Sequence, residues 1–197
     1  MGKRMLLLFI IAGLILAAVI GVYVYQVNRA PSREEASTLI ADFVERIASG
    51  ETENARLLLT AETRGLLRDP GTVLGETVYR SLRLKSVENL FSEGGNIYAA
   101  DVILSTPDTL KIMAKAGILF GEQITEKGEA ENADQLMAEI YGEILSRDDI
   151  PMTDHFCVVR MEWQNGELLI IADERLIRAV EGGSAENSNV LKQLGFQ

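Results

Sequence analysis

The sequence predicts an α+β chain: an N-terminal transmembrane helix, then a body in which an antiparallel sheet packs on helices. Three patterns carry that expectation. Residues 5–25 are 21 positions without a charge or an Asn, Gln, Ser or Thr. The stretches 82–105 and 152–172 alternate apolar and polar residues around turn signals, the period of half-buried strands. Stretches before and between them repeat apolar residues at spacings of three and four, the period of an amphipathic helix. The length of 197 residues suits one domain with a short appendage.

The apolar run comes first. At ~1.5 Å per residue it makes a helix about 31 Å long, close to the ~30 Å hydrocarbon core of a bilayer. Lys3 and Arg4 precede it, and Tyr23 and Tyr25 lie at its far end, where aromatic rings settle at a lipid interface. A cleaved leader is the alternative, with Val19-Ile20-Gly21 as a poor cleavage site, but leader cores usually span only ~7–15 residues. The charges beyond the span, Arg29 and Arg33, nearly balance those before it. The short basic tail points to an inner N-terminus and an outer body, hence a single-pass protein of the cell membrane. The expected organisation is a cytoplasmic tail at 1–4, a lipid-contacting helix at 5–27, a linker at 28–31, a folded body at 32–183 and a polar tail at 184–197.

Composition narrows the chemistry. The net charge is −10, and every one of the 29 acidic residues lies beyond the apolar run. That balance argues against nucleic-acid binding and against lying flat on anionic lipid. One Cys and one His leave no internal disulfide and no multi-histidine zinc site. The acidic stretches (Glu129 with Glu131, Asp148-Asp149) lack the spacing and fixed glycine of a calcium loop. No cofactor is expected.

The body opens with a capping box, Ser32 at the N-cap and Glu35 at N3. Ala36, Leu39, Ile40, Phe43, Val44, Ile47 and Ala48 then form one apolar face, and Gly50 ends the helix. Thr52 is placed to cap a second helix running to Leu59, and Thr60 to start a third over 61–67. Asp69-Pro70-Gly71 is a turn, while 72–80 fits helix or strand equally. A strand follows with Leu82, Leu84 and Ser86 against Arg83, Lys85 and Val87, then a turn at Ser92-Glu93-Gly94-Gly95. The next strand sets Tyr98, Ala100, Val102 and Leu104 on one face, and Ile97, Ala99, Asp101 and Ile103 on the other. Thr106 or Asp108 opens a helix with Leu110, Met113, Ala116, Gly117 and Phe120 inward. A second runs over 133–146 with Leu136, Met137, Ile140, Ile144 and Leu145 inward, so 108–147 reads as a helical hairpin inserted between two halves of a sheet. A long strand over 152–163 returns through Asn165-Gly166, a hairpin signal, to a strand over 167–172. Asp173 or Glu174 then starts a short helix that Gly182-Gly183 ends.

The phrase Leu58-Leu59-Thr60-Ala61-Glu62-Thr63-Arg64 after an amphipathic helix pair resembles the nuclear-transport-factor-2-like superfamily. So do Val102-Ile103-Leu104-Ser105-Thr106-Pro107-Asp108 at a strand end and Gly166 to Gly183 as closing strand and tail. The similarity covers roughly 32–183 and is closest to uncharacterised membrane-anchored or lipoprotein-type extracytoplasmic members from Gram-positive bacteria. It implies a cone-like curved antiparallel sheet packed on N-terminal helices; the insertion near 108–147 departs from the minimal cone and is placed to cover or fill its mouth. It also implies a choice between isomerases or dehydratases and non-catalytic binding modules, which fold alone does not make.

Four side chains are candidates for a pocket. His155 and Cys157 share one strand face with Trp163, although neighbours two apart stand ~6–7 Å apart, too far for a nucleophilic dyad. Asp101 is the lone acid in its stripe. On the concave face of a cone it would be a desolvated base of the kind the related isomerases use; on a solvent face it would be inert. In the apolar run, Gly13, Ala17 and Gly21 form a small-residue face suited to helix association. The expected function is a non-catalytic, membrane-anchored extracytoplasmic module that binds an envelope protein, a second copy of itself or a small apolar ligand. The alternative is an enzyme of the isomerase or dehydratase type centred on Asp101 or His155.

Overall fold

The structure, a computed structural model, describes residues 14–21, 30–127, 133–147 and 149–183. Of the 5–27 segment it therefore covers a helical stretch at 14–21 (α1), exposed along its whole length. Gly13, the rest of that segment and the 184–197 tail lie outside the described residues. Among the described residues no helix is long and apolar enough to cross a membrane.

Helix α2 (Arg33–Ala48) begins with the expected capping box: Ser32 Oγ accepts from Glu35 N at 3.1 Å, and Glu35 Oε2 accepts from Ser32 N at 2.8 Å. Its buried face is Ala36, Ile40, Phe43, Val44 and Ile47. Helix α3 (Thr52–Arg56) starts at its expected cap, one residue early, and ends short of Leu59: Glu51 holds the cap position and Thr52 is buried inside the helix. No third helix forms at 61–67, where a turn leads into one 3-10 turn at Arg64–Leu66. The reason is that Thr60 N donates to Ile170 O at 2.8 Å and Ile170 N to Leu58 O at 2.9 Å, so this segment is drawn into a bridge with the sheet. Residues left open between helix and strand are helix α4 (Val73–Ser81), capped by Thr72.

Strands β1 (Arg83–Gly94), β2 (Ile97–Pro107), β3 (Met152–Gln164) and β4 (Glu167–Ile171) form one antiparallel sheet in that order. Strand β1 runs further than the sequence suggests, and the turn falls after Gly94. Its faces also differ from the simple alternation. Leu84 sits opposite Leu104 and Val87 opposite Val102, both against the core, because the register shifts between Leu84 and Ser86. One extra residue reverses the parity of a strand, so Ser86 falls on the opposite face. The β3–β4 turn carries Asn165 at φ 51° and Gly166 at φ 89°, the left-handed pair such hairpins require.

One face of the sheet carries the core. Ala100, Val102 and Leu104 of β2 meet Cys157, Val159 and Met161 of β3, Phe43 and Ile47 of α2, and Leu176 and Val180 of helix α7 (Glu174–Val180). The caps of α7 are an Asp173 carboxylate that accepts from Leu176 N, and a left-handed Gly182-Gly183 exit. Between β2 and β3 the chain departs into helices α5 (Thr109–Lys127) and α6 (Ala133–Leu145). Asp108, not Thr106, caps α5, accepting from Lys111 N at 3.0 Å. The pair builds a separate small core from Ile112, Ala116, Ile140 and Ile144 and meets α4 at Leu74. Its inward face in α5 is thus rotated from the expected one, and Leu110 is exposed. Among the described residues the insertion does not close over the sheet face that carries Asp101, and that face is open.

Candidate functional site

That open face is the site. Its rungs are set by register: Ser86, Ile103 and Phe156 lie side by side, then Glu88, Asp101 and Val158. Around these two rungs is a depression of about 360 Å³ whose wall includes Arg175 from the start of α7. Phe156 is 79% exposed and Val158 38%, the former the most exposed large apolar side chain among the described residues. Ion pairs bracket the apolar centre, Lys85 to Asp154 at 2.7 Å and Arg160 to Glu93 at 3.0 Å. The Lys85 ammonium, through its hydrogen bond, holds the Asp154 carboxyl below the ordinary carboxylate range. Ser86 Oγ at the floor is buried without a hydrogen-bond partner.

Asp101 stands on this exposed face, on the other side of the sheet from the core. Its Oδ2 accepts from Asn89 Nδ2 at 2.9 Å, and Glu88 faces it across the strands. The space that a cone would leave for a ligand against the helices is filled by Phe43, Val102, Leu104 and Met161, all nearly inaccessible. Asp101 is thus exposed on the outer face of the sheet rather than enclosed between sheet and helices. Cys157 lines the same depression but lies mostly beneath it, 8% exposed. Trp163 is buried further along β3, opposite Leu168, and neither it nor His155 lines the depression. In the apolar segment, Ala17 and Gly21 are exposed on α1.

His155 is engaged with Thr106 rather than with the thiol: Nε2 and Thr106 Oγ1 are 2.9 Å apart. Burial lowers the imidazole pKa from 6.5 against the opposing pull of Asp154 and Asp108. A basic group with a lowered folded-state pKa leaves stability intact above its unfolded value and removes it as pH falls from there towards the folded value. We expect wild-type stability to begin falling as pH drops below about 6.5, and His155→Gln to flatten that decline. Urea unfolding at pH 7.5 and 5.5 measures the difference.

Burial, with Asp173 adding to it, pushes the Cys157 thiol up to about 11. Such a group stays protonated and inert at neutral pH. We expect a disulfide reagent at pH 8 to modify the native chain on the order of 100-fold more slowly than the unfolded chain.

Sequence reasoning found Asp101 and Cys157 but missed Phe156, Val158, Ile103, Glu88, Ser86 and Arg175. The alternation that put His155, Cys157, Val159, Met161 and Trp163 on one face of β3 also put Asp154, Phe156 and Val158 on the other. Two adjacent apolar positions there were the available signal. Among the described residues no group of three or more His, Cys, Asp or Glu side chains is placed to hold a metal ion. No protein-family model matches the chain, and neither does any curated protein or solved structure.

Proposed function

We propose that the chain is a membrane-anchored, extracytoplasmic interaction module whose working surface is the open face of the sheet. The observation that carries this is Phe156, an aromatic side chain held 79% exposed at the centre of a regular strand, with Val158, Ile103 and the Glu88–Asp101 acid pair around it. Contiguous exposed apolar surface rimmed by charge is characteristic of protein contact surfaces. The buried thiol and the threonine-bound imidazole support a binding role over a catalytic one. The apolar run, and the exposure of every described residue of α1, support an anchor that finds its cover in lipid. Helices α2 and α7 on one face of a four-stranded antiparallel meander support the cone-like reading of 32–183.

Fractionation tests the anchor. Full-length chain is expected in the membrane pellet after alkaline carbonate washing, with its first residues intact and its body cut by protease added from outside. Recovery in the soluble fraction, or a mature form starting near residue 22, would remove the anchor. Crosslinking in whole cells tests the surface: Phe156→Asp is expected to abolish adducts formed through the body, while Asp101→Asn leaves them. The enzyme reading, favoured only by the presence of Asp101 in the depression, predicts instead that Asp101→Asn abolishes turnover of a small substrate.

A further inference from the structure

We propose that the partner is a second copy of this chain, joined edge to edge through β3 about a two-fold axis at Phe156. This deepens the interaction reading above and rests on it. A sheet that is not closed has edges, and each edge of this one is treated differently. Strand β1 is broken by three register shifts, with Asn89 at φ 48° inside one of them. Bulges of that kind blunt an edge against pairing. The outer edge of β4 is occupied at Ile170 by the bridge to Leu58 and Thr60. On β3, β4 pairs only from Arg160 onward. Residues 152–159 therefore carry no strand on that side among the described residues, and their pairing with β2 on the other side is unbroken.

Parity makes this edge usable. Trp163 N donates to Asn96 O, so odd-numbered residues of β3 direct their backbone groups towards the β1–β2 hairpin. In an antiparallel ladder the alternate residues direct theirs the opposite way, which turns Asp154, Phe156 and Val158 to the open edge. Two copies pairing antiparallel must also keep core face with core face, so paired residue numbers sum to an even value. The window between Pro151 and Ala172, which follows the Arg160–Ile171 rung beside Val159, then accepts 154–158 against 158–154, with Phe156 at the centre. The most exposed large apolar residue of the described chain is therefore the one that meets itself.

Charge agrees with this register. Pairing about Phe156 sets Val158 opposite Asp154 of the second copy, and Arg175 lines the depression beside Val158. Each copy thus brings a guanidinium to the carboxylate of the other's Lys85–Asp154 ion pair, twice over by symmetry. Centring on His155 instead would set Asp154 against the Phe156 ring and leave the arginines without this match. The interface is isologous and closes at two copies, so it does not propagate into a fibre.

The test uses the full chain in detergent micelles, weighed by light scattering with the detergent subtracted. Two chains per particle are expected. Phe156→Asp is expected to give one chain per particle with an unchanged circular dichroism spectrum, since the side chain is exposed. Arg175→Asp should weaken the pair at least tenfold, and adding Asp154→Arg should restore it. In a Cys157→Ser background, Phe156→Cys should form a disulfide-linked dimer on mild oxidation. A single chain at every concentration overturns the proposal. So does a dimer that survives Phe156→Asp but is lost on replacing Gly13, Ala17 and Gly21 with Leu, which places the contact in the apolar segment. A chain that pairs only after residues 184–197 are removed overturns it too, because its own tail then fills the edge. A single chain that still crosslinks to another membrane protein through Phe156 sinks the dimer and leaves the interaction module standing. A dimer found in the soluble fraction does the opposite to the anchor.

Discussion

Phe43→Ala is expected to cost about 3–5 kcal/mol of unfolding free energy, the range for deleting a fully buried aromatic ring. Phe43 is 1% exposed and sits in the cluster where α2, the sheet and α7 meet. The side chains of that cluster come from several separate elements, so no single rotamer change refills the void. Domains of this size hold only about 5–15 kcal/mol in total, and the variant should lose roughly a fifth of that or more. Urea titration followed by the fluorescence of Trp163, the only tryptophan, measures the shift in midpoint. A loss below about 1 kcal/mol, the scale of an ordinary surface change, would mean that the helix does not pack on the sheet as described.

Gly182→Ala is expected to be nearly as damaging although it removes nothing. The residue holds φ +62°, and a Cβ there would lie 3.1 Å from Thr106 Oγ1, 3.3 Å from Pro107 O and 3.3 Å from Val78 Cγ1. The left-handed backbone costs an L-residue roughly 1–2 kcal/mol, and the added methyl in a packed site about 1–3 kcal/mol. Relaxation is blocked because the Gly182 carbonyl accepts from the buried Thr109 hydroxyl at 2.9 Å. Gly50 makes the control, at φ +78° with open space around its would-be Cβ. Gly50→Ala should show the backbone contribution alone, so thermal melts of the two variants separate strain from collision. Equal losses would remove the collision.

Much of this was legible in residue order because local rules act locally. The Ser32–Glu35 box, the Asp173 cap and the Asn165-Gly166 turn each need only a few neighbouring residues, and each stands where the pattern put it. What escaped depended on distant partners. Thr60 looked like a helix start until Ile170 took its N–H. Thr106 looked like a cap until its hydroxyl met His155, leaving Asp108 to do the capping. The parity of β1 changed at Lys85 because the register against β2 shifts there, and alternation within one strand carries no trace of that. Alternation separates the two faces of β3, but which face is covered depends on where the helices settle, and His155 and Cys157 lie on the covered one.

The departure between β2 and β3 starts and finishes at one rung of the ladder: Pro107 pairs with Met152, and Asp108 N donates to Pro151 O at 2.7 Å. A branch whose two feet stand side by side is topologically a turn, however many residues it holds. Its length can change without displacing any strand, since loop-closure entropy grows only with the logarithm of loop size. The two helices are thus a passenger on the sheet. Evolution could lengthen, shorten or exchange them, provided that Thr109 still reaches the Gly182 carbonyl and Leu74 of α4 stays covered, while the strand that bears Phe156 kept its place.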